Sequence, residues 1–205
     1  MGAHEPSVDR VQQAQQSAER TLGAFLGQPV FIRIIKEERS LELWVQQGDK
    51  WCILKTYAIA GMSGALGPKV AEGDGQAPEG FYAVSPPALN PRSKYHLSFN
   101  IGYPNEYDRA QGRTGSYIMI HGGQESQGCF AMTDAGIEEI YTLVHTALQA
   151  GQESIPVQVY PFRMTPERMQ AEERSPHHDF WCLLHPGWLH TERHHAPAPA
   201  RYGIQ

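Results

Sequence analysis

The sequence predicts an α+β fold, mainly β, with helices at its periphery. Three observations carry that reading. Strand-like alternation of apolar and polar residues dominates residues 30–101. Helical periodicity is confined to the start, a segment after residue 133 and the end of the chain. The two patterns, about six or seven strands and three or four helices, do not alternate strictly, which disfavours a βαβ-built parallel sheet and favours a curled sheet or sandwich.

Val8, Val11, Ala14, Ala18, Leu22 and Phe25 recur every three or four residues, with Gln and Arg opposite. They predict a surface-docked helix within residues 1–27, stopped by Gly27 and Pro29. Residues 30–36 are rich in Ile, Val and Phe. Leu41, Leu43 and Val45 then alternate with Glu42, Trp44 and Gln46, the pattern of a half-buried strand. Gly48-Asp49 is a turn and residues 51–60 return, so 39–60 reads as a hairpin. Cys52 shares a face with Leu54 and reads as a packed apolar residue.

Residues 61–80 are glycine-rich and contain Pro68 and Pro78, a loop long enough to be functional. Residues 81–84 resume a strand, which Pro86, Pro87 and Pro91 break. In residues 95–101, Leu97, Phe99 and Ile101 take one face and His96, Ser98 and Asn100 the other. A polar loop, 102–115, carries Arg109 and Arg113, whose guanidinium groups could clamp a carboxylate. After residue 132, Thr133 or Asp134 caps a helix whose stripe is Ile137, Ile140, Tyr141, Val144 and Leu148, with Gly151 just past its end. Residues 155–162 form a last strand. Thr165-Pro166 opens a short helix, and Phe180, Trp181, Leu183 and Leu184 dock another. The Pro- and Ala-rich residues 196–205 read as frayed. The organisation expected is an N-terminal helix (1–27), a catalytic domain (28–174) and a C-terminal helix with a His/Pro-rich tail (175–205).

The formal net charge is −5, from 17 basic and 22 acidic residues. That lacks the basic footprint of a nucleic-acid binder. No apolar run reaches the roughly 18 residues of a membrane span. The opening Met-Gly-Ala-His-Glu-Pro has no apolar core of a signal peptide. The three cysteines, Cys52, Cys129 and Cys182, are too few for a disulfide scaffold. Nothing in the sequence fixes an oligomeric state.

The chemistry concentrates in residues 116–132. A strand, 117–120, ends in His121; Gly122 and Gly123 turn the chain; Gly128 precedes Cys129, eight residues beyond the histidine. An imidazole and a thiol brought to one turn make a base and a nucleophile. The imidazole can take the thiol proton and hold the thiolate as an ion pair. Backbone N–H groups at Gly128 and Cys129 could meet the oxyanion. No Asp lies near His121 to orient it, and the Gly122 carbonyl can serve instead. The reaction class is acyl transfer: a thioester forms, an amine leaves, and water or a second amine resolves it. No Walker loop or dinucleotide fingerprint is present, and no cofactor is called for.

His177, His178, His185, His190, His194 and His195, with Cys182, form a second constellation. His190 and His194 stand at i, i+4, a spacing that can hold a metal. No Cys-x-x-Cys accompanies them, so the reading is a solvated tail and no metal site.

Ile120-His121-Gly122, followed by Ser126-Gln127-Gly128-Cys129, resembles the signature of the YkuD-type L,D-transpeptidase family. That signature is a His-Gly pair, a spacer, then Ser/Thr-His-Gly-Cys; here the spacer is short and Gln127 stands at the second His. This combination is similar to the YafK-like branch. Gly67-Pro68-Lys69, Glu72-Gly73-Asp74 and Pro78-Glu79-Gly80-Phe81-Tyr82 resemble its central loop. Asn100 to Asn105, Tyr107-Asp108-Arg109 and Gly112-Arg113-Thr114-Gly115 resemble its pre-catalytic loop. Residues 128–134 and Pro161-Phe162-Arg163-Met164 continue the likeness, which spans roughly residues 28–192.

The resemblance implies a YkuD-like β-sandwich or curled sheet and a periplasmic enzyme whose leader has been removed. It implies a peptidoglycan stem peptide as substrate, attacked at the L-centre of diaminopimelate. Cys129 would be the nucleophile, His121 the base and the Gly122 carbonyl its orienting group; the backbone N–H of Gln127 would remain for the oxyanion beside those of Gly128 and Cys129. Tyr103, Asn105, Arg109, Arg113 and Ser126 are the candidate substrate-binding residues. The YafK-like branch implies hydrolysis of the amide that ties diaminopimelate to a lipoprotein lysine, so a peptidoglycan-linked lipoprotein is a candidate partner. An L,D-transpeptidase forming cross-links or lipoprotein attachments is the alternative, and a non-catalytic peptidoglycan-binding module the second. Export would also permit a bond between Cys52 and Cys182, but none is expected.

Overall fold

The computed structural model describes residues 6–199. Its helices are α1 (Pro6–Leu22), α2 (Glu106–Ala110), α3 (Asp134–Gln149), α4 (Pro166–Ala171) and α5 (His178–His194). Its strands are β1 (Val30–Ile35), β2 (Ser40–Gln47), β3 (Lys50–Ala58), β4 (Gly80–Val84), β5 (Leu89–Asn90), β6 (Ser98–Asn100), β7 (Met119–His121), β8 (Phe130–Ala131) and β9 (Ile155–Tyr160). They form two mixed sheets, ordered β3-β2-β1-β9-β4 and β5-β6-β7-β8. The predicted α+β class is the class observed.

The large sheet is covered on both faces. On one, Ile32, Ile34, Leu41 and Leu43 share a core with Ile137, Ile140 and Val144 of α3 and with Ala14 and Leu22 of α1. Leu97, Phe99, Ile120 and Phe130 bring the small sheet into the same core. On the other face Ile35, Phe81, Tyr160 and Phe162 pack against Trp181, Leu184 and Trp188 of α5. The N-terminal stripe therefore docks as its spacing predicts, although the side chain of Val8 lies outside the described residues.

Covering the second face overturns the half-buried reading of β2. Glu42 and Trp44 are buried as fully as Leu41 and Leu43. Glu42 accepts from Arg33 Nε at 2.7 Å, Trp44 Nε1 at 3.1 Å and Arg163 Nη2 at 3.0 Å. The Arg33 guanidinium lies between the rings of Trp44 and Trp188, 5.0 and 4.5 Å from their centroids. Charges on this face are tolerated because each finds a partner.

Three further expectations change. Cys52 is exposed, because β3 is the outer strand of its sheet and reaches past the helices that cover β2. The loop at 102–115 contains α2, closed by a capping box in which Asn105 Oδ1 accepts from Asp108 N and Asp108 Oδ2 from Asn105 N. The histidines from 178 to 194 belong to α5 rather than to a tail. The chain stays docked beyond it, since Ala198 is buried beside Gly187 and Phe81. Residues 200–205 of the frayed expectation lie outside the described residues.

The glycine-rich segment between β3 and β4 is pinned from beneath by Lys36. Its Nζ donates to Gly67 O, Ala77 O and Glu79 Oε1, each at 2.9 Å. Glu79 in turn accepts from Gly67 N at 2.7 Å and from Trp181 Nε1 at 2.8 Å. Both charges are buried, and burial pulls the Lys36 pKa down despite the carboxylate beside it. Removing one partner strands the other in the core. Glu79→Leu should therefore lower unfolding stability in urea by about 3–5 kcal/mol, and Lys36→Met in the same chain should recover part of the loss. Equal stability of Glu79→Leu and the parent would remove the pair from its structural role.

Candidate active site

β7 and β8 pair in parallel, with Ile120 opposite Phe130 and His121 opposite Ala131. That register brings Cys129, just before β8, level with Met119, and Met119 N donates to Cys129 Sγ at 3.3 Å. Side chains two apart on a strand share a face, so His121 lies on the side of the sheet that Met119 presents. The eight-residue return between them is short for a parallel connection, and glycine makes it practicable. At Gly122 a Cβ would stand 2.6 Å from the Tyr95 carbonyl and 2.7 Å from Asp134 Oδ1. Gly122 N donates to Tyr95 O and Leu97 O, and Gly123 N to Asp134 Oδ1. The peptide after the histidine is thus fixed on both sides.

Its carbonyl is directed at the imidazole. His121 Nδ1 and Gly122 O are 2.6 Å apart. A carbonyl only accepts, so Nδ1 carries the proton and Nε2 the lone pair. Nε2 faces Ser126 Oγ at 3.3 Å, and the Tyr95 ring packs on the imidazole with centroids 4.7 Å apart. The Cys129 thiol points to the Tyr117 carbonyl at 3.6 Å. Cys129 and His121 line one cavity of about 550 Å³, together with Tyr95, Tyr117, Ser126 and Gln127. A second cavity, about 280 Å³, reaches Cys129 from the other side between Lys69, Glu72 and Gly128.

Burial lowers the pKa of His121, and the Gly122 hydrogen bond only partly offsets it. Burial raises that of Cys129 against the opposing pull of the Met119 N–H and Lys69. Both shifts favour the neutral forms, thiol and imidazole, over the ion pair expected from residue types.

The other predicted residues separate into groups. Gln127 is exposed at the mouth of both cavities. Gly128 N donates to Ser63 Oγ at 2.8 Å, which leaves the amides of Gln127 and Cys129 as the nearer candidates for an oxyanion. Arg113 bonds the buried Asp108 at 2.7 Å and stacks on Phe180 and Tyr107. Tyr103 Oη donates toward the carbonyls of Lys69 and Thr114, and Asn105 Nδ2 to Phe81 O. These three hold the fold of the pre-catalytic loop and do not line the Cys129 cavities. Arg109 donates to Pro104 O and borders a different cavity of about 660 Å³ with Tyr82 and Pro197. Sequence reasoning passed over Ser63 and Tyr95, which touch Gly128 and His121; neither carries a local motif.

Among the described residues no three His, Cys, Asp or Glu side chains converge as a metal site. No described helix is long and apolar enough to cross a membrane. Cys52, Cys129 and Cys182 are all free thiols.

The L,D-transpeptidase catalytic domain of the YkuD family is matched over residues 29–179. The chain belongs to the YkuD family. Its Escherichia coli K12 relative YafK, itself only provisionally assigned as an L,D-transpeptidase, is 48% identical over 172 residues, 84% of this chain and 70% of that protein. The same identity and coverage hold for YafK of E. coli O157:H7. Among solved structures, the helical cell shape determining protein Pgp2 of Campylobacter jejuni superposes with a TM-score of 0.52 at 20% identity, over 89% of this chain and 66% of Pgp2. Its K307A mutant gives 0.53 at 21% identity, over 92% and 67%. At these identities Pgp2 speaks for the fold alone, whereas the family and YafK connect the chain to peptidoglycan.

The preference for the neutral forms has a direct consequence for reactivity. In a Cys52→Ser, Cys182→Ser background, alkylation of Cys129 by iodoacetamide should rise with pH, with its midpoint above the ~8.5 of a free cysteine. A midpoint below that of free cysteine would mean a preformed thiolate–imidazolium pair.

Proposed function

We propose that the protein is a periplasmic cysteine amidase of peptidoglycan stem peptides, acting at the L-centre of diaminopimelate. It cuts the amide that joins diaminopimelate to a lipoprotein lysine. The observation that carries the chemistry is the fixed imidazole: Gly122 O holds Nδ1–H, so Nε2 is the basic nitrogen in the cavity of Cys129. Family membership and the YafK likeness support the substrate class.

The steps follow from the groups present. Cys129 Sγ bonds the amide carbon while its proton passes to His121 Nε2. The oxyanion is met by the N–H groups of Cys129 and Gln127. Collapse breaks the C–N bond, and the leaving amine takes the proton back from Nε2. The thioester remains. Water, deprotonated by the same Nε2, then releases a carboxylate and regenerates the thiol.

Transfer to an amine is the second reading, and one observation favours it: the cavity on the far side of Cys129 offers room for an acceptor. Gln127, exposed at the shared mouth where the family signature has His, offers no titratable base to such an amine.

Incubation with lipoprotein-linked muropeptides, read by mass spectrometry, should release free stem peptide and lipoprotein. New diaminopimelate–diaminopimelate cross-links as the only products would replace the amidase by the transpeptidase. Binding without turnover would leave a binding module. Cys129→Ala should abolish turnover, and His121→Ala should lower kcat by about 10²–10⁴-fold; full activity in either variant would remove that residue from the mechanism.

A further inference from the structure

Tyr117, Gln127 and Cys129 are the three residues that line both cavities at the nucleophile. Tyr117 is 75% exposed, more than any other large apolar side chain of the described residues. Its backbone lies at φ +54, the left-handed region that a bulky residue enters at a cost. Folding does not use the ring, since it packs in neither core. The backbone is nevertheless held there from two directions: β7 begins two residues on, and the Cys129 thiol points to the Tyr117 carbonyl. Residues held in sparsely populated backbone regions cluster at functional sites, and this one presents an exposed aromatic ring beside Cys129.

We infer that Tyr117 is a specificity-determining residue whose ring covers the acyl donor where it crosses Cys129. This rests on the proposed amidase reading and goes beyond it. Tyr117 lines both cavities, and on this reading the donor chain lies on one side of its ring and the leaving amine on the other. Gln127 faces the same opening, and its side-chain amide can pair with a peptide N–H or C=O. The occupant that suits an aromatic wall opposite an amide is an extended peptide with an aliphatic side chain at the scissile residue. The methylene chain of diaminopimelate meets that description. Tyr95, at the other end of the larger cavity, is already packed on His121, so Tyr117 is the ring left for the substrate.

The test separates ring, backbone and thiol. Tyr117→Gly removes the ring and relieves the left-handed backbone; Tyr117→Phe keeps the ring and removes the hydroxyl. Calorimetry in a Cys129→Ala background would measure binding of a synthetic stem tetrapeptide containing meso-diaminopimelate. The expected result is a Kd raised about tenfold by Tyr117→Gly and changed less than about twofold by Tyr117→Phe. With Cys129 intact and Cys52 and Cys182 replaced by Ser, iodoacetamide should alkylate the glycine variant at the parental rate, and its Tm should not fall. Binding by the glycine variant equal to that of its parent overturns this inference and leaves the amidase reading standing. Alkylation falling in step with binding also overturns it, since Tyr117 would then act through the thiol. A parent that neither binds nor cleaves stem peptides overturns the amidase reading and this inference together.

Discussion

Lys36 and Glu79 place opposite charges in the core between β1 and the segment leading into β4, and much of the site depends on that placement. The ammonium uses all three of its protons, on Gly67 O, Ala77 O and Glu79. The carboxylate is completed by Gly67 N and by Trp181 from α5. A buried pair of this kind adds little net stability over an apolar core, but it tolerates only one arrangement of its neighbours. What it specifies here is the path of the glycine-rich segment 61–80. That segment carries Ser63, which accepts the Gly128 N–H, and Lys69, which reaches the wall of the smaller cavity. Asp74 keeps Lys69 in place at 2.5 Å, and burial of that carboxylate is outweighed by the lysine and by the N–H groups of Ala71, Gln76 and Val70, which hold it well below the usual carboxylate range. The loop that carries Gly128 and Cys129 is thus tied, through Ser63 and segment 61–80, to the Lys36–Glu79 pair.

The same economy governs the base. A third residue that orients a catalytic histidine is commonly a carboxylate, which favours imidazolium. A carbonyl oxygen carries no full charge, so it fixes the tautomer while leaving the imidazole neutral. Burial then dominates and lowers the His121 pKa. A neutral base beside a protonated thiol is less prone to stray oxidation than a standing thiolate, because oxidation follows thiolate character.

What the sequence revealed follows from which forces act locally. Strand alternation in residues 30–45 and the stripes of α1 and α3 are properties of single elements, and they survive in the fold. The His-Gly and Gly-Cys pairs were legible because the parallel β7–β8 register turns a short sequence separation into spatial contact. Other features depend on partners far along the chain. Glu42 reads as a solvent-facing residue until α5, some 140 positions on, covers it and Arg33 meets it. Arg113 reads as a free guanidinium until Asp108 and Phe180 close around it. Cys52 reads as buried because alternation places it on the core face and cannot tell where that core ends. Tyr117 reads as the first residue of a strand, and only its φ shows that the chain there has left the pleat.

The choice between water and amine, on the proposed chemistry, reduces to what shares the space around the thioester. His121 Nε2 can take a proton from either, so the base does not discriminate. The smaller cavity does, through its lining: Glu72 and Lys69 are charged, and Gln127 is polar without being a base. A polar space of about 280 Å³ is readily filled by water. An amine acceptor has to displace that water and arrive unprotonated, a step that a histidine at position 127 could assist and a glutamine cannot. Water faces neither requirement, so on this chemistry the departure at Gln127 favours water even though the smaller cavity has room for an amine.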